Sequence, residues 1–462
     1  MRFEIDELRQ CRCVYLIGIG GISMSALALI LAEKGFEVRG YDRTESKVLE
    51  ILRQAGVKVY LTDVPEAFEN VDLICYTAAV GSGHPQMKLA AACGARIISR
   101  AELLGCLAST YACSVAVAGT HGKSTTTGML AHLLLHTEGY DPTVAVGAVL
   151  PELGAAYRIG KDDIFLYEAC EYKDSFLSFF PKVAVVLNIQ LDHTDYFHSI
   201  DQMVGSFAQF FRNAETEGVG IYNLDCENCR RAAKGIEGLA ITFSAEGNEE
   251  ADYAAKNIDM TGGFARFDVY HQRNFLLHAE LGVPGLHNVS NALAAIAVAS
   301  GVCDLLPEEI VSGLATYRGV SRRFEFLCEW NGAKLYDDYA HHPEEIRATL
   351  AAARKMTEGR VVCVFQPHNY TRLRDLFEDF CTAFMDADVL VLTKLYAARE
   401  AAGSEVSSAL LAERTGAVYL EEKERIPEYL EQILAPGDTV LLVGAGDIGL
   451  VTEKFKKSGK IS

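Results

Sequence analysis

The stretch AVAGTHGKSTTTGML, from Ala116 to Leu130, joins a strand-like apolar run beginning at Cys113 to a helix-like run of small and apolar residues. Phosphate-binding loops are commonly spelled G-x-x-x-x-G-K-[ST], so that backbone N–H groups and a helix N-terminus converge on one anion. Here the position five residues before Gly122 is Val117, and the nearer glycine is Gly119. The stretch is therefore either a shortened phosphate loop or a capped helix after a glycine turn. On the first reading Lys123 is an exposed loop lysine that supplies charge to the β- and γ-phosphates rather than packing, and Ser124 or Thr125 offers a hydroxyl to Mg²⁺. On the second, Lys123 is a solvated surface charge.

Neighbouring strand ends favour the first reading. DIFLYEAC and KVAVVLNI read as buried strands; Glu168 closes the first, and Asp192, His193 and Asp195 follow the second. In a parallel sheet such ends share the edge that carries the phosphate loop. A carboxylate there can hold Mg²⁺ against phosphates. Magnesium prefers oxygen ligands, which makes His193 the weaker ligand on chemistry alone and Asp192 its competitor.

Outward from this loop the chain alternates strand and helix almost throughout, which predicts parallel α/β domains. With 462 residues it is long enough for two to four. A new apolar strand at Cys113 places one boundary near Leu107, and a restart after YRGVSRRFEF places a second near Ser321 to Phe324. The expected domains are 1–107, 108–321 and 322–462. The net charge of -19 argues against nucleic-acid binding, which needs a basic surface. Val14–Ala32 is uncharged and nearly long enough to span a bilayer, but its central glycines, with β-branched residues before and helix formers after, predict a strand, a turn and a buried helix. No basic stretch precedes an apolar one at the start, and the 13 scattered cysteines read as reduced thiols, so a cytoplasmic location is expected. Cys226 and Cys229 form a C-x-x-C without a second pair to complete a zinc site.

Three further stretches gather candidate site residues. GIGGIS offers Gly18, Gly20 and Gly21, with Asp42 ending the next strand where a ribose-binding acid belongs; this suits a dinucleotide, a UDP-like substrate or a plain tight turn. GAGDIG at Gly444–Gly449 is a cleaner match, but too little chain follows for another βαβ unit, so it reads as a turn lining a cleft. DDYAHHPEEI and FQPHNYTRLRDLF place Asp337, Asp338, Tyr339, His341, His342, His368, Arg372 and Arg374 at two consecutive strand ends. The adjacent histidines lack a further ligand at helical spacing, so a metal is not expected there.

Taken in order, GIGGISMS, GTHGKSTTT, EACEYKDSF, NIQLDHTDYF, HNVSNALAA, RRF, DDYAHHPEE and FQPHNYTR resemble the Mur ligase family across essentially the whole chain. The resemblance implies an α/β protein of three domains: an N-terminal Rossmann-like domain binding the UDP part of a substrate, a central ATPase domain, and a C-terminal Rossmann-like domain. It also implies that the family writes its phosphate loop in this short form.

The activity implied is ATP- and Mg²⁺-dependent joining of L-alanine to UDP-N-acetylmuramate, with no nucleic-acid or membrane partner. A murein-peptide-recycling ligase is the near alternative, and an NAD-dependent oxidoreductase built on Gly18–Asp42 the distant one. By resemblance Lys123 is the phosphate lysine, Ser124, Glu168 and His193 are Mg²⁺ partners, and Gly119, Thr120, His121, Gly122 and Thr125 complete the loop around ATP. His287, Asn288 and Asn291 fall on the adenine side, and Arg322 or Arg323 with Asp337 or Asp338 completes that site. Gly18, Gly20, Gly21, Ser25, Asp42, Thr77, Arg100 and His121 go to the UDP substrate; Tyr339, His341, His368 and Arg372 surround the amino acid. His341 or His368 takes the amine proton. Asn369 stands where many members have arginine, EACEYKD replaces the commoner EADESD and so ranks Glu171 below Glu168, and no lysine lies between Tyr196 and Phe211 to be carbamylated.

Overall fold

Cys13–Ile17, written CVYLI, is buried at all of its positions, as a central strand covered on both faces must be. It is β1. With β2 (Glu37–Tyr41), β3 (Lys58–Tyr60), β4 (Leu73–Tyr76) and β5 (Arg96–Ser99) it forms a parallel sheet of order β3-β2-β1-β4-β5. The order reverses beside β1, the switch point at which open α/β sheets leave a crevice. The structure, a computed structural model, describes residues 3–77, 80–81, 83–161, 163–194, 196–214, 217–398, 406–452 and 455. Asp195 lies outside them.

The chain divides into two units. The first holds residues 1–244, 250–252 and 294–305; the second holds 245–249, 253–293 and 306–462. In the first, the helix Ile22–Glu33 packs on β2 and also on β7 (Thr143–Leu150) and β8 (Ala155–Arg158). Facing two sheets explains why this helix is apolar on all sides, which gave Val14–Ala32 its membrane-like look. No helix among the described residues is long and apolar enough to cross a membrane.

The first unit continues with β6 (Cys113–Ala118), β9 (Ile164–Ala169), β10 (Val183–Val186), β11 (Val219–Asn223) and β12 (Leu239–Ser244), ordered β8-β7-β9-β6-β10-β11-β12. All pairs are parallel except β7 with β8. The C-terminal ends of β9, β6 and β10 thus stand side by side.

In the second unit the expectation of parallel pairing throughout fails. β13 (Tyr253–Asp259), β14 (Phe264–His271) and β15 (Asn274–Pro284) are antiparallel. The cause is local: burial along β14 and β15 largely alternates, and the two-residue turn at Gln272 and Arg273 has φ of 48° and 69°. One solvated face and a left-handed two-residue turn make a hairpin, not a crossover.

The last sheet contains β16 (Glu325–Trp330), β17 (Ala333–Asp338), β18 (Val361–Phe365), β19 (Val389–Thr393), β20 (Val418–Leu420) and β21 (Thr439–Val443), ordered β16-β17-β21-β18-β19-β20. It too is parallel except for the β16–β17 hairpin, closed by Asn331 and Gly332 with φ of 53° and 78°. GAGDIG follows β21, between the ends of β17 and β18, so it does line the edge where ligands bind in such sheets.

Candidate active site

The loop after β6 is shaped by two glycines and clamped from outside. Gly119 has φ 144° and Gly122 φ 86°, values that side-chain-bearing residues rarely adopt, and a Cβ on Gly119 would lie 3.1 Å from the Cβ of Leu187. The segment after β10 holds the loop in place. Asn188 Oδ1 accepts from the amide of His121 at 2.8 Å, and its Nδ2 donates to the His121 carbonyl at 3.0 Å. Thr120 Oγ1 accepts from the Gln190 amide at 2.9 Å. The helix Lys123–Leu135 starts from Gly122, so its first turn, which holds Ser124 and Thr125, brings its open amides to the loop.

Lys123 is not the exposed loop lysine that its sequence context suggests. Its side chain is only 16% exposed and lies 2.9 Å from Glu171 Oε2, with the ammonium also donating to the Gly119 and Thr120 carbonyls. Burial, the largest single influence, works against this ammonium, but the charge and hydrogen bond of Glu171 together with Cys170 and Glu168 outweigh it and hold the lysine's pKa above the ordinary value. Burial would likewise raise Glu171, yet Lys123 and His193 keep its carboxyl below the usual range. His193, at φ 53°, places Nε2 3.6 Å from Glu171 Oε1. Lysine, glutamate and histidine therefore meet at one point.

Glu168, the expected metal partner, closes β9 with Oε1 accepting from the Gly147 amide at 2.6 Å. A Cβ on Gly147 would lie 2.9 Å from Glu168 Oε2, so only glycine lets that carboxylate approach. Ser124, Glu168 and Glu171 give this edge oxygen donors that suit a hard cation, with His193 beside them.

The first glycine turn is closed on itself. Gly20 donates its amide to Asp42 Oδ2 at 2.9 Å, and a Cβ there would come within 2.8 Å of that oxygen. Gly18 has φ 83° and lies against the methyl of Thr77, while Gly21 N-caps the next helix. Ser25 is buried, its hydroxyl donating to the Ile22 carbonyl. Arg100 begins the helix after β5 and is near enough to Cys170, next to Glu171, to act electrostatically on its thiol.

In the second unit, His287 starts the helix after β15, and the buried Asn288 and Asn291 bond each other at 2.9 Å, Asn288 also donating to the Pro284 carbonyl at 2.7 Å. Arg322, at φ 63°, donates Nε to Asp337 Oδ2 at 3.3 Å and Nη2 to the Gly444 carbonyl at 2.6 Å. Arg323 faces Glu345 at 3.6 Å, and both guanidiniums lie over the Tyr339 ring. Burial pushes the carboxyls of Asp337 and Asp338 each up to about 6, with Arg322 and Arg323 respectively opposing the rise. Asp338 accepts from the amides of Phe324 and Ala340, whereas Asp337 Oδ1 is buried with no hydrogen-bond partner among the described residues.

The strand ends of β17 and β18 bring the remaining candidates together. His341 Nδ1 bonds the Tyr339 carbonyl at 3.0 Å, and its ring lies 6.2 Å from that of His368. Arg372 Nη1 stands 3.4 Å from His368 Nδ1. Arg374, by contrast, is 59% exposed and turned to Asp375.

Three family models match consecutive parts of the chain. They are the Mur ligase family catalytic domain at residues 14–112, the Mur ligase middle domain at 117–299, and the Mur ligase glutamate ligase domain at 322–446. The chain belongs to the Mur ligase family. It is 42% identical over 460 residues to a UDP-N-acetylmuramate–L-alanine ligase of Clostridium tetani, covering 98% of this chain and 100% of that protein. The ligase of the same name from Acetivibrio thermocellus is 42% identical over 463 residues, 99% of this chain and 98% of that one. Among solved structures, the UDP-N-acetylmuramate–alanine ligase of Thermotoga maritima superposes with a TM-score of 0.80 at 26% identity, over 97% of this chain and 99% of that one. A murein peptide ligase from Psychrobacter arcticus shares the fold, with a TM-score of 0.70 at 22% identity over 98% and 99% of the two chains.

This Mur ligase has the three-domain α/β fold of its family. Sequence reasoning about it missed Asn188 and Gln190, the clamp on the phosphate loop, and ranked Glu171 below Glu168. A signal for the clamp exists in NIQLDH, where polar residues directly follow a buried strand beside the loop strand.

Proposed function

We propose that this Mur ligase uses ATP to join the amine of L-alanine to the lactyl carboxylate of UDP-N-acetylmuramate, a cytoplasmic step in building peptidoglycan precursors. The observation that carries the reading is the meeting of Lys123, Glu171 and His193 at the clamped phosphate loop, in a chain whose full-length relatives bear that ligase's name.

A carboxylate is a poor electrophile for an amine at neutral pH. The γ-phosphoryl group moves to a carboxylate oxygen, the bond to ADP breaks, and an acyl phosphate results. The alanine nitrogen then attacks its carbonyl carbon; the C–N bond forms, inorganic phosphate departs, and the amine gives up a proton. Lys123 offsets phosphate charge in both steps, and it must exchange its contact with Glu171 for one with the nucleotide. Ser124 and Glu168, with His193, would hold Mg²⁺, which when bound neutralises charge on the phosphates. His287, Asn288 and Asn291 serve the adenine, while Arg322, Arg323, Asp337 and Asp338 position the nucleotide. Gly18, Gly20, Gly21, Asp42, Thr77 and Arg100 serve the UDP moiety. His341 or His368 accepts the amine proton, and Arg372 binds the alanine carboxylate through its forked guanidinium.

The likeness in fold to a murein peptide ligase keeps a preformed peptide as the competing acceptor. ADP release measured with UDP-N-acetylmuramate against L-alanine, glycine, L-serine and a tripeptide separates the two. Turnover with L-alanine is expected; turnover with the tripeptide alone would replace this reading.

A further inference from the structure

The helix that begins at Lys123 carries a second cluster at its other end, which the ligase chemistry leaves unused. His132 lies in its last turn and His136 caps it, so residues four apart present their imidazoles on one face. The two ring centroids are 4.0 Å apart. Facing them is Glu152, in the turn between β7 and β8, whose Oε2 is 2.7 Å from His132 Nδ1 and 3.9 Å from His136 Nδ1. That turn is fixed by the amides of Leu153 and Gly154, which donate to the Leu150 carbonyl at 3.0 and 2.9 Å, and by Gly154 at φ 60°. One ligand atom from each of His132, His136 and Glu152 lies within 4.8 Å of the others.

The geometry points to a site for a transition-metal cation, Zn²⁺ first, held by His132, His136 and Glu152 with a fourth position left to water. Two imidazoles and one carboxylate are a zinc donor set and a poor magnesium one. Ligand atoms around a tetrahedral zinc stand about 3.4 Å apart, so small side-chain rotations close the present arrangement. His132, 8% exposed, is the anchored ligand; His136, 53% exposed, leaves the site open to solvent. His136 Nδ1 also bonds the His132 carbonyl at 2.9 Å, the kind of outer contact that orients a ligating imidazole. At 1.5 Å rise per residue the cluster lies roughly 14 Å along the helix from Lys123, which separates it from any cation that serves the phosphates. A bound ion would staple the phosphate-loop helix to the β7–β8 turn.

The test is calorimetric titration of the metal-free, full-length chain with Zn²⁺, without nucleotide, for wild type, His136→Ala and Glu152→Gln. His136 is exposed, so its removal leaves folding intact, which circular dichroism verifies. Wild type is expected to bind one equivalent that both variants weaken tenfold or more, and to gain thermal stability with zinc that His136→Ala does not gain. Co²⁺ in place of Zn²⁺ is expected to give tetrahedral ligand-field bands without a thiolate charge-transfer band. Equal binding by wild type and His136→Ala, absence of a bound equivalent, a cobalt–thiolate band, or displacement of zinc by equimolar Mg²⁺ would each overturn the assignment.

Discussion

At the phosphate loop the charged groups are neutralised before any nucleotide arrives. Lys123 lies 2.9 Å from a buried Glu171, His193 stands on the other carboxylate oxygen, and the backbone is clamped by Asn188 and Gln190. At the ends of β17 and β18 polar groups are buried with less company. Among the described residues Asp337 Oδ1 has no hydrogen-bond partner, nor has Asn369 Oδ1, whose residue sits at φ 68°. The first arrangement ties function to folding, because the groups proposed to meet substrate also satisfy one another. The second leaves polar capacity open for a ligand at a cost to the free fold. Substitutions in the first region should therefore harm stability and activity together, whereas those in the second should harm binding alone or even relieve the fold.

The largest effect is expected from Lys123→Ala. Ligation should fall roughly a thousandfold or more as phosphate charge loses its counter-charge. Stability should also fall, on the order of 3 kcal/mol, because Glu171 is left buried without the ammonium that faces it, with His193 beside it. Adding Glu171→Gln should restore the melting temperature but not turnover. A Lys123→Ala chain that melts like wild type would break the contrast at its strongest point.

Asn188→Ala comes next. It strips two hydrogen bonds from His121, leaving the amide and the carbonyl without their side-chain partner, at about 2 kcal/mol in urea unfolding. The KM for ATP should rise with it. An unchanged urea midpoint would mean that the loop does not need its clamp.

How much of this was legible in the sequence follows from the same contrast. Lys123 and its glycines are contiguous, so their chemistry reads directly from GTHGKS. Glu171 reaches Lys123 because β9, which it follows, pairs with the loop strand β6, a long-range relation that composition does not announce. Asn188 works across a strand neighbour some 70 residues away, a relation fixed by β6–β10 pairing. The hairpins β13–β15 were encoded in alternating burial, but the strand–helix rhythm around them suggested parallel pairing. In the second unit the order of motifs gave the strand ends, and the resemblance already chose Arg372 over Arg374; the structure adds that Arg372 stands beside His368 and Arg374 beside Asp375.

That choice supplies the third test. Arg372→Lys keeps the charge but loses the fork, so the KM for L-alanine should rise about tenfold, equivalent to about 1.4 kcal/mol. The melting temperature and the ATP KM should not move. Arg374→Lys, at an exposed residue paired with Asp375, should change none of these. If only Arg374→Lys raised the alanine KM, the carboxylate contact would belong to the other arginine.

The smallest effect concerns Asp337 and the sign of its pH dependence. Burial raises its carboxyl from an ordinary 3.8 to about 6, against the pull of Arg322. An acid with a raised pKa binds its proton more tightly in the folded chain than in the unfolded one. The stability it contributes is fully present below the unfolded pKa and is lost as pH rises through the folded pKa. Asp337→Asn keeps an acceptor for Arg322 and cannot ionise. Between pH 4 and pH 7 wild type should therefore lose stability relative to the variant, on the order of 1 kcal/mol. Asp338, also raised to about 6, is present in both chains and largely cancels in the difference. Urea melts of both proteins at the two pH values read that difference directly. If wild type instead gained on the variant as pH rose, the Arg322–Asp337 ion pair would be dominating desolvation, and the second region would be stabilised by its charges much as the first is.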